Sequence, residues 1–536
     1  MLAERLPAGD DRRRLRRLAV GVDGGGRRGR DLARLTTVVG DGLDVAGAMP
    51  PGSPRWITSE ALAWAVARVV TVGAGSRPPG GDRSAGATPL VERLIGVITP
   101  AAEAAARGDA SAISCQLVAA ALLPGNDRCQ RFEAQAREAL EADIDRLATA
   151  DGAIGPVGAD SAARVAGVAR WAALLDAVVA AGGDPPWSGR SRARFRAAGE
   201  TALMLLGPGG EWPGADRRAI GALLAAIERD GGRRARDTAR QMRRGPGDDA
   251  RLLRRERGLA EGCQAVIRSG WDAADVRVFI DWRAASPWLE VAVGRRCLVA
   301  GPWSVQATVG GVPLATDGPW RMSSCEPCRH GTFLEVVQPL VGGGEIQRQI
   351  VVMAADRVVL LADALILPAA AGVLAYEGHL SLPDGVTVTA PAETRERLLG
   401  DGRPRCAVLP LALGEWTAAS GPGSFTAAAG ATGGGLHLRQ VGAGQRIYAP
   451  LWIDCDPRRS RGPLTWRQLT VADTRRILDR HEAAGFRVQA GLDQWLVYRA
   501  LDEPRNRTLL GCNVACEFVL GRIKPRGRVG RSIEIE

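Results

Sequence analysis

The densest group of side chains able to hold a metal or move a proton is Cys325-Glu326-Pro327-Cys328-Arg329-His330. It supplies three ligands where a structural zinc site needs four, and the only other close thiols, Cys512 and Cys516, lie far along the chain. The strand pattern that resumes at Thr332 accounts for the segment without an ion, so no metal and no cofactor is expected. The histidines are His330, His379, His437 and His481 and the tyrosines Tyr376, Tyr448 and Tyr498, so an imidazole or phenol base must come from the C-terminal part of the chain. Lys524 is the single lysine, which removes a phosphate-loop lysine, a Schiff-base lysine and a kinase-type lysine from the body of the sequence. Neither GxSxG nor HExxH occurs. The GVDGGG stretch near residue 21 has no strand before it and no periodic helix after it, and reads as a linker.

Other residues fit sugar recognition. Trp187 (DPPWSGR) and Trp212 (GGEWPGADR) lie in loop-like stretches, with Asp216 and Arg217 following the second. Aromatic faces stack on pyranose rings while neighbouring charges bind hydroxyls or acidic groups, so these four residues are the candidate substrate contacts. Trp171 falls on an apolar helical stripe and is expected in a core.

The elements that must position these groups are read from composition and period. A chain of 536 residues needs two or more packed units, and 46% hydrophobic with 24% charged residues is the composition of a globular protein. No apolar run is long enough for a membrane span, and no convincing signal peptide stands at the N-terminus; a cytoplasmic location is expected, with periplasmic export as the alternative. Net charge is +11 from 70 basic and 59 acidic residues, and the near absence of lysine points to GC-rich coding as one source of the arginine. The charge is uneven: residues 231–258 hold ten arginines and four acids. The ten cysteines are scattered, which fits a reducing compartment.

Residues 1–52 show no sustained period and close on PPGSP, so a disordered or loosely attached arm is expected. From 53 to 258 the period is helical. Ser59 can cap a helix carrying Leu62, Val66 and Val69, Thr88-Pro89 opens another, and Phe132, Ala136, Leu140, Ile144 and Leu147 share one face. Val165, Val168, Trp171, Leu175 and Val178 repeat the pattern. From 259 to 536 the period is two: Val276, Val278 and Ile280 alternate with Arg277, Phe279 and Asp281, and short runs such as RVVLLADALI and LHLRQV follow between turn signals. The predicted architecture is α+β, with helical hairpins in a ring followed by a large antiparallel β-sandwich.

Several phrases carry a resemblance. AVIRSGWDAADVRVFIDWR (265–283), PWLEVAVGRRCLVAGP (287–302) and FLEVVQPLVGGGEIQRQIVVMAADRVVLLADALI (333–366) resemble the sandwich domain of the heparinase II/III-like proteins. ARWAALLDAV (169–178) and LMLLGPGGEWPGADR (203–217) are similar to hairpins of their α/α toroid, and NRTLLGCNVACEFVLGRI (506–523) to the ending of a bacterial subgroup. The resemblance implies a polysaccharide lyase, which removes the proton beside a uronate carboxylate and expels the glycosidic oxygen. That step needs a group to hold the carboxylate and a base to take the proton.

The sequence departs from the family at the base. Active relatives supply Asn, Tyr and His from the toroid, whereas residues 56–257 contain no Tyr or His and one Asn, Asn126; after the DG turn the chain reads DGAIGPVGADSAARV. No catalytic residue carries over. Three functions therefore stand at this point: an acidic-polysaccharide binder with weak or lost lyase activity, an active lyase with an unusual base, and an arginine-driven polyanion binder that includes nucleic acid. A membrane partner is not expected.

Overall fold

The computed structural model describes residues 88–536 apart from 212–216, 246–250, 369–371, 419–420, 429–433 and 525–526, together with scattered positions from Val39 to Val66. The chain forms two compact units. The first comprises 1–150, 166–199 and 216–232, and the second comprises 151–165, 200–215 and 233–536. In place of a single boundary near 258, the chain passes between the units five times, because two connecting stretches of the helical half, and the chain from 233 on, belong with the strands.

The first unit is helical. Its elements are α1 (Thr88–Ile98), α2 (Ala101–Ala106), α3 (Ala110–Leu122), α4 (Asp127–Leu147), most of α5 (Ser161–Ala180), most of α6 (Gly189–Leu205) and α7 (Arg217–Asp230). Asn126, the lone Asn of this half, caps α4 by accepting from the N–H groups of Arg128 (3.0 Å) and Cys129 (3.2 Å), and Asp109 does the same for α3. The stripe Phe132, Ala136, Leu140 and Ile144 is buried, and so are Val165, Val168, Trp171, Leu175 and Val178. Trp171 donates its indole N–H to Asp143 at 2.7 Å, which satisfies the one polar atom its burial would orphan.

The expected loose arm over 1–52 needs correction at its C-terminal end. Val39, Leu43 and Ala46 are helical and no more than 1% exposed, and Asp44 pairs with Arg93 of α1. Three apolar side chains spaced at four and three residues bury a stripe that composition alone did not reveal. Deleting residues 1–52 should therefore lower the unfolding midpoint by several degrees, whereas deleting 1–37 should spare this stripe. Thermal unfolding of both truncations, followed by circular dichroism, checks the contrast.

Among the described residues, the second unit adds α8 (Arg233–Arg244) and twenty-four strands. One sheet runs β1 (Glu256–Leu259), β2 (Gln264–Arg268), β3 (Val276–Asp281), β4 (Trp288–Val293), β5 (Arg296–Val309), β11 (Val373–Ser381), β16 (Gly435–Ala443) and β15 (Gly423–Ala428), with β6 (Val312–Pro313) on β5. A second runs β12 (Thr387–Thr389), β13 (Arg397–Gly400), β14 (Pro404–Pro410), β17 (Arg446–Asp454), β10 (Val358–Ile366), β9 (Glu345–Met353), β8 (Gly331–Pro339) and β7 (Arg321–Cys328). A third holds β18 (Leu464–Leu469), β19 (Ala483–Ala490), β20 (Asp493–Ala500), β23 (Phe518–Ile523) and β24 (Val529–Ile535), and β21 (Arg507–Leu509) pairs with β22 (Cys512–Val514).

The middle sheet is covered on both faces. Leu361 and Val359 of β10 join a core with Ile280 and Val291, while Leu360 and Val358 join another with Phe486 and Trp495. Burial on both sides explains why VVLLADALI is a continuous apolar run rather than an alternating one. The expected sandwich is therefore extended by a third layer.

A buried ion pair stands in that middle sheet. Arg348 and Asp363 are cross-strand neighbours, both unexposed, joined at 2.8 and 2.9 Å. Tyr376 donates its hydroxyl to Asp363 at 2.7 Å, and the Arg348 guanidinium lies 3.9 Å from the Trp303 ring centre. Cys325 packs into the core on one face of β7 and Cys328 into the core on the other, because residues three apart on a strand point to opposite sides. These two thiols cannot ligate a common ion.

Candidate functional site

Strands β2 to β4 carry a buried polar face. Ile267, Val278, Ile280, Leu289 and Val291 point into the sandwich core, which sends Gln264, Arg268, Arg277, Phe279, Asp281 and Glu290 to the opposite side. All six are at most 5% exposed. Segments 151–165 and 200–211 supply partners to Gln264, Arg268, Arg277, Asp281 and Glu290.

Segment 151–165 is clipped down by charge. Arg164 donates to Asp281 at 2.7 Å, to the Ala159 carbonyl at 2.9 Å and to the Ile154 carbonyl. Gln264 takes the Ile154 N–H at 3.0 Å and donates to the Ile154 carbonyl at 3.0 Å, closing a reciprocal pair. Arg283 reaches Asp281 and the Gly155 carbonyl, the latter at 3.0 Å. Gly155 has φ +78°, and a Cβ there would stand 2.6 Å from Arg164 Cγ, so the turn requires glycine twice over. Burial alone would raise the Asp281 carboxyl, but the hydrogen bonds from Arg283 and the Arg164 charge more than offset it and hold the group below the usual carboxylate range.

Glu290 sits at the start of α5. It accepts the Ser161 N–H at 2.8 Å and the Trp288 indole N–H at 2.9 Å, which places an acid on the positive end of a twenty-residue helix. Burial pushes its carboxyl up despite these bonds. The C-terminal end of α6 receives the opposite charge: Arg268 donates to the carbonyls of Met204 (3.1 Å) and Leu206 (3.0 Å), and Arg277 to Leu206 at 2.9 Å. Desolvation pulls Arg268 down to about 10, with Asp275 as its counter-charge.

This face resembles a binding site in its residue types but is closed by its own chain. Arg164 and Asp281 are 1% exposed, and Arg283 is the member of the cluster that retains contact with solvent. It holds no imidazole, phenol or amine, and its carboxylates Asp281 and Glu290 are bonded to donors of the chain itself.

Two of the four candidate sugar contacts fall among the described residues. Trp187 is 9% exposed and stacks on Phe195 with ring centres 4.7 Å apart, so packing occupies the ring that was expected to meet a sugar. Arg217 is exposed at the first residue of α7. Trp212 and Asp216 lie outside the described residues.

The tyrosines have structural roles. Tyr376 and Tyr448 are buried, hydrogen-bonded to Asp363 and Gln349, with hydroxyls driven upward by burial; Tyr498 is unexposed and accepts from Arg507 at 3.0 Å. His330 stands exposed in the turn between β7 and β8. His379 and His437 are cross-strand neighbours on β11 and β16 with ring centres 4.4 Å apart, and burial together with the His437 charge lowers His379.

Among the described residues, Asp479, His481 and Glu482 bring three ligand atoms within 4.8 Å. Both Glu482 oxygens are already taken, by Arg476 at 2.5 and 2.7 Å and by the Asp479 N–H at 3.0 Å. The Arg476 hydrogen bonds hold the Glu482 carboxyl down at about 2, against ~4.3 for an unfolded glutamate. A carboxyl depressed in the folded state contributes stability above its unfolded value and loses it as pH falls toward the folded one. Glu482→Gln should therefore flatten stability between about pH 4.5 and pH 2 relative to the parent chain, as measured by urea unfolding across that range.

The signal that would have pointed to the buried cluster is Asp281 two residues before Arg283, a charge pair ending a strand whose opposite face is wholly apolar. Polar alternation ordinarily marks solvent, and only the tertiary position of 151–165 reverses that reading.

No family model matches the sequence, and no curated protein matches it. Solved structures do. The heparan sulfate lyase HepC from Pedobacter heparinus superposes with a TM-score of 0.61 at 11% identity, covering 92% of this chain and 82% of that one. A heparinase III gene product gives 0.58 at 9% identity over 93% and 91%, and a further heparinase III gives 0.51 at 10% over 91% and 82%. The coverage spans the helical and the β-rich parts together, so the chain has the fold of the heparinase III and heparan sulfate lyase structures.

Proposed function

We propose that this protein binds acidic polysaccharide and has weak or no β-elimination activity, with its helical hairpins forming the α/α toroid of the lyase fold. The observation that carries the reading is segment 151–165: its side chains include no His, Tyr or Lys to serve as the base, and its one arginine is spent on Asp281. The similar structures are heparan sulfate lyases, which supports an acidic glycan as the ligand class. The excess of positive charge supports it further, since guanidinium groups match carboxylate and sulfate bidentately.

Calorimetric titration with heparan sulfate, chondroitin sulfate and uncharged dextran tests the binding half. Binding to at least one acidic polymer, none to dextran, and recovery of the polymer at unchanged length by size-exclusion chromatography are expected. Failure to bind any acidic polymer at low salt, or marked shortening of one, contradicts the proposal.

A further inference from the structure

Four strands of the first sheet lie side by side in the order β5, β11, β16 and β15. Leu374, Tyr376 and Leu380 of β11 and Leu436 and Leu438 of β16 turn into the sandwich core, which sends Glu377, His379, His437 and Arg439 to the outer face. His379 and His437 stand directly opposite each other there, the first half-buried and the second exposed. The Gly310 N–H meets the Val373 carbonyl at 2.9 Å and the Val441 N–H meets the Pro422 carbonyl at 2.6 Å, so the odd-numbered residues of β11 bond toward β5 and those of β16 toward β15. The two histidines therefore make a non-hydrogen-bonded pair, the kind in which opposed side chains approach most closely.

Their rings have centres 4.4 Å apart and planes inclined at 47°. Two imidazoles that hold one ion side by side, each through a nitrogen bond of about 2.1 Å, have ring centres about 4.5–5 Å apart. Gly435 permits this approach: a Cβ there would stand 2.1 Å from His379 Nε2, so the missing side chain lets the His379 ring lean across to β16, beside His437. Among the described residues, no hydrogen bond takes a nitrogen of either ring. Burial, and then the His437 charge, lowers His379 from the ordinary histidine value, which leaves its ring neutral and its lone pair available near neutral pH. Ser304 on β5 and Thr426 on β15 flank the pair in the same row, and in the next row the Glu377 carboxylate is held by Arg439 at 3.1 Å.

We infer that His379 and His437 form a surface site for a divalent late-transition-metal ion of the zinc and nickel class, with water completing its shell. Two imidazole nitrogens beside a carboxylate already paired with arginine select this class, since magnesium and calcium take oxygen ligands. The pair acts as a chelate: once one nitrogen has bound, the other is within reach of the same ion, and linkage of this kind raises affinity on the order of 100-fold over a single imidazole. The cluster of Asp479, His481 and Glu482 is the rival donor set, and its Glu482 oxygens are committed to Arg476. The site is independent of the glycan reading.

The test is calorimetric titration of the full chain, stripped of metal with EDTA, with zinc chloride, nickel chloride and magnesium chloride. His379→Ala and His437→Ala each remove one ligand. His481→Ala and Cys325→Ser/Cys328→Ser serve as controls for the other donors. Zinc and nickel are expected to bind the intact and control chains, and magnesium to bind none of them. Each of the two ligand variants should lose affinity for zinc and nickel on the order of 100-fold, with its metal-free melting temperature close to that of the intact chain. If His379→Ala does not fold, His437→Ala decides alone, because His437 is exposed. Undiminished binding in His437→Ala, or a loss found in His481→Ala or the cysteine variant instead, overturns the inference. So does failure of the intact chain to bind zinc or nickel, and magnesium binding as tight as zinc overturns the class of ion.

Discussion

Asp281→Ala should cost about 3–5 kcal/mol of folding stability, the largest loss expected from any single change in the β-rich unit's polar face. The carboxylate neutralises two arginines at once, Arg164 and Arg283, and also accepts from Gln264 at 3.2 Å. Arg283 keeps a quarter of its side chain in solvent and can turn outward when its partner is lost. Arg164 cannot, because its side chain is unexposed and its remaining donors are fixed on the carbonyls of segment 151–165. An uncompensated guanidinium in that position bears nearly its full desolvation cost. Arg283→Gln should accordingly cost much less. Joint replacement by Arg164→Met and Asp281→Leu should recover most of the single-variant loss, since apolar side chains of similar size replace the buried pair without stranding a charge. Urea unfolding of the four chains gives the ordering, and limited proteolysis within 151–165 should accelerate in Asp281→Ala alone. A loss below about 1 kcal/mol for Asp281→Ala would show that the segment is held by something other than this cluster.

Much of this arrangement could be read from local pattern, and the parts that could not share a physical cause. The apolar stripes of α4 and α5 and the alternation of β3 and β4 followed from period, because each element buries a single face. The third sheet did not follow. A continuous apolar strand such as VVLLADALI is compatible with burial on both faces, yet nothing within it names the layer that covers the second one. The arm was misjudged for a related reason: Val39, Leu43 and Ala46 form a short stripe inside a Gly-rich and charged context that dominates any composition window. The polar cluster was hidden because Arg277, Asp281 and Glu290 have the pattern of a solvent face. Only segments 151–165 and 200–215, far away in sequence, convert that face into an interior. Trp187 shows the same limit from the other side, since a loop residue between prolines and glycine is expected at the surface and packs on Phe195 instead.

The second large effect concerns chemistry. Removing the proton beside a uronate carboxylate requires a base matched to the task, and general-base assistance is typically worth ~100- to 10,000-fold. Segment 151–165 has no His, Tyr or Lys, and its acids, Asp151 and Asp160, accept from backbone N–H groups. The tyrosines are buried, with Tyr376 held by Asp363, Tyr448 by Gln349 and Tyr498 by Arg507, and burial drives all three hydroxyls away from the range in which a phenolate forms near neutral pH. Glu290 and Asp275 are raised by burial here, but they are 3% and 1% exposed, and Glu290 accepts both of its donors on one oxygen inside the fold. His330, His379, His437 and His481 stand on turns, an outer strand face and a loop, and none is part of the polar cluster beneath 151–165. Elimination on heparan sulfate, chondroitin sulfate, hyaluronan or alginate should therefore be absent or weaker by the full contribution of the missing base.

The most direct measurement is the near-ultraviolet absorbance of unsaturated uronate, followed over the same four polymers from pH 5 to pH 9 with protein concentrations high enough to saturate binding. The account predicts binding of at least one acidic polymer and no rise in absorbance above the protein-free control at any pH. Robust turnover on any of them, abolished by a single change such as His330→Ala or Tyr376→Phe, would contradict it and establish an active lyase with an unusual base.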